Sequence, residues 1–209
     1  MPTDPLRTAV DVVGLVVHRG ERAVLTGIDA SFPAGSVTAL TGPNGSGKST
    51  LLDALAGVAR PTAGRVSGLP DRGAVAYVTQ SLPPTTLPLT VRSAVSMGRW
   101  PHGRWWRPLG RGGRAVVDAQ LGRMAVADLD DRPLEELSGG QRQRALVALG
   151  LTQRAGVLLV DEPTAGIDAA SSALVVAALA EEAAAGVVVV HAAHDRSAIA
   201  AADRVVALA

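Results

Sequence analysis

The sequence predicts a parallel α/β sheet, an antiparallel sheet on its N-terminal side, and a helical segment inserted between core strands. Three observations carry this prediction. The apolar runs "SVTAL", "AVAYV", "VLLV", "VVVV" and "RVVAL" are too short for helices and read as strands buried on both faces. The first of them passes through a glycine-rich turn into the helical pattern "STLLDALAGVA", a strand–turn–helix order. Between roughly residues 84 and 150 three helical patterns follow one another with no strand among them: "TVRSAVSMGRW", "RAVVDAQLGRMAVADL" and the segment from Gln141. Upstream of about residue 36, "VDVVGLVV" and "AVLTGIDASF" read as strands of the antiparallel edge sheet.

Size and composition fit one domain spanning residues 1–209. With 47% hydrophobic and 19% charged residues the chain can bury a sizeable core, and a formal net charge of +1 gives no electrostatic footprint for nucleic acid. There are no cysteines, so disulfides and thiolate metal sites are excluded. "MPTDPLRTAV" lacks the basic start and apolar core of a secretory signal, and no window approaches the roughly 20 apolar residues of a membrane helix. A cytoplasmic location is expected.

Among the 20 basic residues a single lysine occurs, Lys48, and the single asparagine, Asn44, lies four positions before it. Both belong to "GPNGSGKST", residues 42–50, which matches the G-x-x-x-x-G-K-[ST] phosphate loop in the strand–turn–helix setting that loop requires. Gly42, Pro43, Asn44, Gly45, Ser46, Gly47 and Thr50 shape a turn whose glycines admit positive φ and turn backbone N–H groups toward a phosphate. Lys48 supplies a compact charge for β- and γ-phosphates, and the Ser49 hydroxyl can coordinate Mg²⁺. An ordinary glycine turn would need neither the lysine nor its position, since arginine serves elsewhere in this chain.

"GVLLVDEP", Gly156 to Pro163, ends an apolar strand in two carboxylates. Ligands of parallel sheets sit at that edge, so Asp161 is placed for the Mg²⁺ shell and Glu162 for polarising a water. Taken alone, such a pair also fits a helix cap or surface charge; beside a phosphate loop the catalytic reading is favoured. A further stretch, "ELSGGQRQRALVALG", opens a helix with Ser138, Gly139, Gly140 and Gln141. Its first N–H groups make a second anion site, one without a lysine.

The series "GPNGSGKST", Gln80 in "AYVTQ", "LSGGQ", "LLVDEP", "AGID" and His194 in "HAAHD" resembles the ATP-binding subunit of ABC transporters over nearly the whole chain. That resemblance implies a RecA-like P-loop NTPase core, ATP with Mg²⁺, and hydrolysis coupled to transport. It makes Gln80 a linker glutamine that senses Mg²⁺ and the membrane partner, with Ser49, Gln80 and Asp161 around the metal and Glu162, Gln80 and His194 at the reacting phosphate. Ser138, Gly139 and Gly140 become the signature loop and Asp168 an inter-subunit aspartate. The lysine-free loop can complete a phosphate site but not build one, so a two-fold homodimer is expected in which each signature loop closes over the partner's nucleotide.

One position departs from the family pattern. An aromatic residue usually stacks on adenine well upstream of the phosphate loop; here Arg19 stands there, with His18 beside it, and either planar group can stack on a base. His191 and His194 are three apart at a strand end, on opposite faces, which disfavours chelation. All three tryptophans fall in "MGRWPHGRWWRP", Met97 to Pro108, together with His102. That loop reads as packing against its own subdomain or as contact with the membrane partner or lipid headgroups; binding of single-stranded nucleic acid is disfavoured.

The wording around "TLPLTVRSAVSMGRW" and "LDDRPLEELSGGQRQRALVALGL" resembles zinc- and manganese-type importers. It implies a bare subunit on the inner face of the membrane, serving integral permease subunits and an extracytoplasmic solute-binding protein. A solute other than a metal is the nearest alternative. An ABC-type DNA-repair ATPase would carry a long heptad insert, and a P-loop kinase would lack the signature loop.

Overall fold

The computed structural model describes residues 9–70, 74–80, 89–100 and 108–209. Residues 101–107, with His102, Trp105 and Trp106, lie outside them, so the reading of the tryptophan loop rests on Trp100 alone, which is exposed at its edge.

Two sheets form among the described residues. The first is antiparallel, in the order β2-β1-β4, from β1 (Ala9–Arg19), β2 (Arg22–Pro33) and β4 (Ala63–Ser67). The second takes the order β5-β6-β7-β3-β8, from β3 (Val37–Thr41), β5 (Val75–Val78), β6 (Val157–Val160), β7 (Val188–Ala192) and β8 (Arg204–Ala207). Every pairing in it is parallel. The expected parallel core and antiparallel edge sheet are therefore present, with β4 an additional strand.

The side-chain period of two makes β6 common to two cores. Val157 and Leu159 pack with Phe32, Leu15 and helix α1 (Lys48–Leu55) beneath the antiparallel sheet. Leu158 and Val160 face the other way, onto a core built with α2 (Val91–Met97), α3 (Arg111–Arg123), α4 (Gly139–Thr152) and α5 (Ala169–Ala184).

Helix ends follow their caps. Thr90 starts α2 by accepting a bond from Ser93 N, and Ser138 and Gln141 form a reciprocal capping box at the start of α4. The pattern "RAVVDAQLGRMAVADL" reads as one helix in sequence but breaks in the structure: α3 stops at Arg123, Ala125 turns at φ 49°, and a short 3-10 turn follows at Ala127–Leu129. Arg144 of α4 donates to the carbonyls of Met124 and Ala125 at 2.8 and 2.6 Å, satisfying acceptors that the helix end leaves free. Arg123 ties α3 to α5 through Glu181 and Glu182.

Candidate functional site

An open cleft of about 1140 Å³ lies at the C-terminal edge of the parallel sheet, where ligands of such sheets sit. The 42–50 loop forms its floor. Gly42 and Gly47 leave no room for a side chain: a Cβ would stand 2.3 Å from Leu208 O at Gly42 and 2.5 Å from Leu25 Cδ2 at Gly47, and φ is 146° and 98°. Lys48 is 5% exposed, and its ammonium donates to the Gly42 and Pro43 carbonyls at 2.9 and 3.0 Å, arching over the loop. Asn44, Gly45, Ser49 and Thr50 also line the cleft; Pro43 is exposed beside them, and Ser46 is buried with its hydroxyl unpartnered.

The acidic pair stands at the end of β6. Asp161 is 8% exposed and its Oδ1 has no partner. Burial raises its pKa above the usual carboxylate value, opposed by a hydrogen bond from Ser49 and reinforced by the charge of Glu162. A buried, half-unpartnered carboxylate beside a hydroxyl and a phosphate loop is a hard oxygen donor set, and Mg²⁺ fits it.

The sign of the Asp161 shift gives a testable consequence. A carboxylate whose folded pKa lies above its unfolded one contributes stability below the unfolded value, lost as pH rises through the folded pKa. At neutral pH its charge therefore opposes folding. Asp161→Asn is expected to raise the melting temperature of the nucleotide-free protein at pH 7 and to give no gain at an acid pH where Asp161 is protonated in the folded chain. A thermal melt at both pH values checks this; an unchanged or lower melting temperature at pH 7 would contradict it.

Glu162 adopts φ 50°, an uncommon conformation for a residue with a side chain. Both of its carboxylate oxygens are engaged. His194 Nε2 lies 2.7 Å from Oε1, and Gln80 Nε2 donates to Oε2 at 3.1 Å. The structure thus brings Gln80, Glu162 and His194 together, although they lie far apart in sequence. His191 is sealed in β7 at 2% exposure, and burial lowers its pKa; His194 lies beyond the strand and faces the cleft.

The β1–β2 hairpin also lines the cleft, through Arg19, Arg22 and Val24. Arg19 donates from Nε to Thr50 Oγ1 at 3.3 Å and is ion-paired with Asp53, which also accepts from the Tyr77 hydroxyl at 3.1 Å. His18 does not line the cleft; its Nδ1 is paired with Thr62 Oγ1. Sequence reasoning missed Arg22, Val24, Thr164 and Asp195 as wall residues. A two-residue turn at Gly20–Glu21 sets Arg19 opposite Arg22, the one local signal that could have found the second arginine.

The signature residues lie elsewhere. None of Ser138, Gly139, Gly140, Gln141 and Asp168 lines this cleft. Asp168 caps α5, accepting from Ser171 N and Oγ, and Gly140 abuts that cap: a Cβ on it would stand 2.8 Å from Ser171 Oγ and 3.0 Å from Asp168 Oδ2.

Comparison with known proteins adds the family. The ABC transporter family matches residues 25–165, a span holding the phosphate loop, Gln80, the signature loop and the acidic pair, while Arg19, Asp168 and His194 lie outside it. The chain is 41% identical to a hemin import ATP-binding protein of Streptomyces coelicolor, over 99% of this chain and 77% of the relative. It is 42% identical to a zinc import ATP-binding protein of Alkalilimnicola ehrlichii, over 77% of this chain and 58% of the relative. A solved ABC transporter assigned to the metal-chelate type, in an inward-facing conformation, superposes with a TM-score of 0.86 at 28% identity, covering 97% of this chain and 80% of that one. The chain belongs to the ABC transporter family as an ATP-binding domain, an ATPase whose cofactors are ATP and Mg²⁺.

Proposed function

We propose that this chain hydrolyses ATP at a seam shared with a second copy of itself and so drives uptake of a metal ion, zinc or manganese, through a separate membrane permease. The observation that supports the catalytic part best is Glu162, a strand-end carboxylate held by Gln80 and His194 in the cleft that Lys48 also lines.

The roles follow from chemistry. Lys48 and the N–H groups of the 42–50 loop hold the β- and γ-phosphates, and Ser49, Gln80 and Asp161 hold Mg²⁺, which when bound supplies positive charge against the phosphate oxygens. Glu162 orients the attacking water and accepts its proton as the oxygen adds to the γ-phosphorus and the bond from that phosphorus to the β-phosphate oxygen breaks, with ADP as the leaving group. His194 donates from its ring toward the γ-phosphate. Ser138, Gly139, Gly140 and Gln141, with Asp168, are not among the residues that line the cleft, which suits a two-fold pair in which each patch completes the partner's site.

Import is supported by the names of the relatives, hemin import and zinc import ATP-binding proteins; integral permease subunits and an extracytoplasmic solute-binding protein that delivers the solute complete this proposal. Among the described residues no helix is long and apolar enough to cross a membrane. The chain then sits on the cytoplasmic face, docked to its permease. Binding of nucleic acid is not part of this function, in keeping with a net charge of +1. A second reading, uptake of a metal in chelated form, is favoured by the hemin import relative, whose likeness covers 99% of this chain.

Growth of a strain deleted for the gene, under chelation, separates these readings. Restoration by zinc or manganese at concentrations that the complemented strain does not need is expected. Restoration by hemin alone moves the substrate to the chelate, and restoration by none of the three rejects metal uptake.

A further inference from the structure

Two loops that leave neighbouring strands meet in the cleft. One, residues 161–168, follows β6; the other follows β7 and carries His194 and Asp195. β6 and β7 are paired in parallel, so both loops emerge from the same edge of the sheet. The contact between Glu162 and His194 joins them once. Thr164 joins them a second time, its hydroxyl donating to Asp195 Oδ2. Both residues of this second tie line the cleft.

Asp195 is a fixed post. It opens the short helix α6 (Arg196–Ala200), its Oδ1 accepting from Ala198 N at 2.8 Å and from Ser197 Oγ at 2.6 Å. Ala198 is buried against Ala39 of β3 and Ala193, and Ala193 N donates to Leu40 O at 3.0 Å, so the backbone is seated on either side of His194. Burial pushes the Asp195 carboxyl up, but hydrogen bonds from Ser197, Thr164 and Ala198 outweigh it and leave the pKa below the usual carboxylate value. Asp195 is therefore ionised at neutral pH, with both oxygens engaged by donors other than the His194 ring.

The loop after β6 needs such a post. Glu162 stands at φ 50°, a conformation that persists in a residue with a side chain only where its surroundings enforce it. Asp161 N, donating to Val78 O at 2.8 Å, fixes the backbone before it. After it the chain turns back through Pro163, with Ala165 N reaching the Glu162 carbonyl at 3.2 Å. Thr164 sits inside that turn and ties it to Asp195.

We propose that Thr164 and Asp195 are positioning residues for hydrolysis: their bond straps the turn after Glu162 to the loop that carries His194, and so sets the Glu162 carboxylate against the His194 ring. The inference rests on the catalytic reading of Glu162. Such a strap governs the geometry of attack, whereas the grip on the phosphates belongs to the 42–50 loop. Loosening it should lower kcat and leave Mg-ATP affinity in place.

Steady-state hydrolysis and equilibrium Mg-ATP titration of the full chain test this. Thr164→Val keeps the shape of the side chain and removes its donor. It should lower kcat by roughly ten- to a hundredfold, with KM and the Mg-ATP Kd within about threefold of the parent. Thr164→Ser, which puts the hydroxyl back on a smaller side chain, should return kcat to within a few-fold of the parent. Asp195→Asn keeps the cap of α6 and offers the hydroxyl a neutral acceptor. Because charge-assisted bonds are roughly twice as strong as neutral ones, its kcat should fall between those of the parent and Thr164→Val.

Thr164→Val at the parent kcat would overturn the strap, as would a Thr164→Ser protein no better than Thr164→Val. A loss that falls on Kd would make Thr164 a nucleotide contact and overturn it as well. Thermal melts report folding; should Thr164→Val not fold, Asp195→Asn decides, and turnover of that variant at the parent rate equally overturns the proposal. Glu162→Gln is the control on the underlying reading. If it loses turnover while Thr164→Val does not, only the strap fails; if Glu162→Gln hydrolyses like the parent, the catalytic assignment itself is misplaced.

Discussion

Glu162→Gln is expected to lower ATP turnover by roughly 10²- to 10⁴-fold while leaving the fold intact. The substitution keeps size and planarity, so the packing around residue 162 survives. A carboxamide oxygen can still accept a bond from Gln80 or His194, and glutamine has no greater difficulty than glutamate at φ 50°. What disappears is the negative oxygen that takes a proton from water. Nucleotide contacts through Lys48 and Ser49 remain, so ATP is held rather than consumed, and the closed pair should accumulate. Steady-state phosphate release and light-scattering mass with and without Mg-ATP read the two effects. A Glu162→Gln protein that hydrolyses at the parent rate would place water activation on another group.

Lys48→Ala should reduce affinity for Mg-ATP by roughly 10²-fold or more, the loss of charge-assisted contacts to two phosphates. The structure adds a second reason. The Lys48 ammonium is bonded to the Gly42 and Pro43 carbonyls, so it braces the turn that alanine would leave slack. Calorimetric titration of the variant with Mg-ATP is the measurement. Affinity equal to that of the parent would remove the 42–50 loop from the nucleotide site.

How far the sequence carried depended on how local each signal was. The phosphate loop, the core strands and the acidic edge of β6 are contiguous, and their apolar runs and glycines are set by backbone geometry within a few residues. β4 was missed because "AGRVS" contains a single large apolar side chain and makes its case only by pairing with β1. The break after α3 was missed because an arginine from α4 completes it. The Arg19–Asp53 pair spans 34 positions and the Gln80–Glu162 pair 82, and no periodicity encodes which distant polar groups will meet. Arg19 itself stood out as a missing aromatic; its partners became visible only in three dimensions.

The close approach of Gly140 to the cap of α5 makes the start of α4 and the start of α5 a joint without play. A first turn of α4 that shifts toward α5 meets Ser171 and Asp168 at once, because there is no side chain at position 140 to flex and none can be accommodated without displacing the cap. The placement of the surface carrying Ser138 is therefore set by the cap that Asp168 makes, and any side chain at position 140 would disturb both.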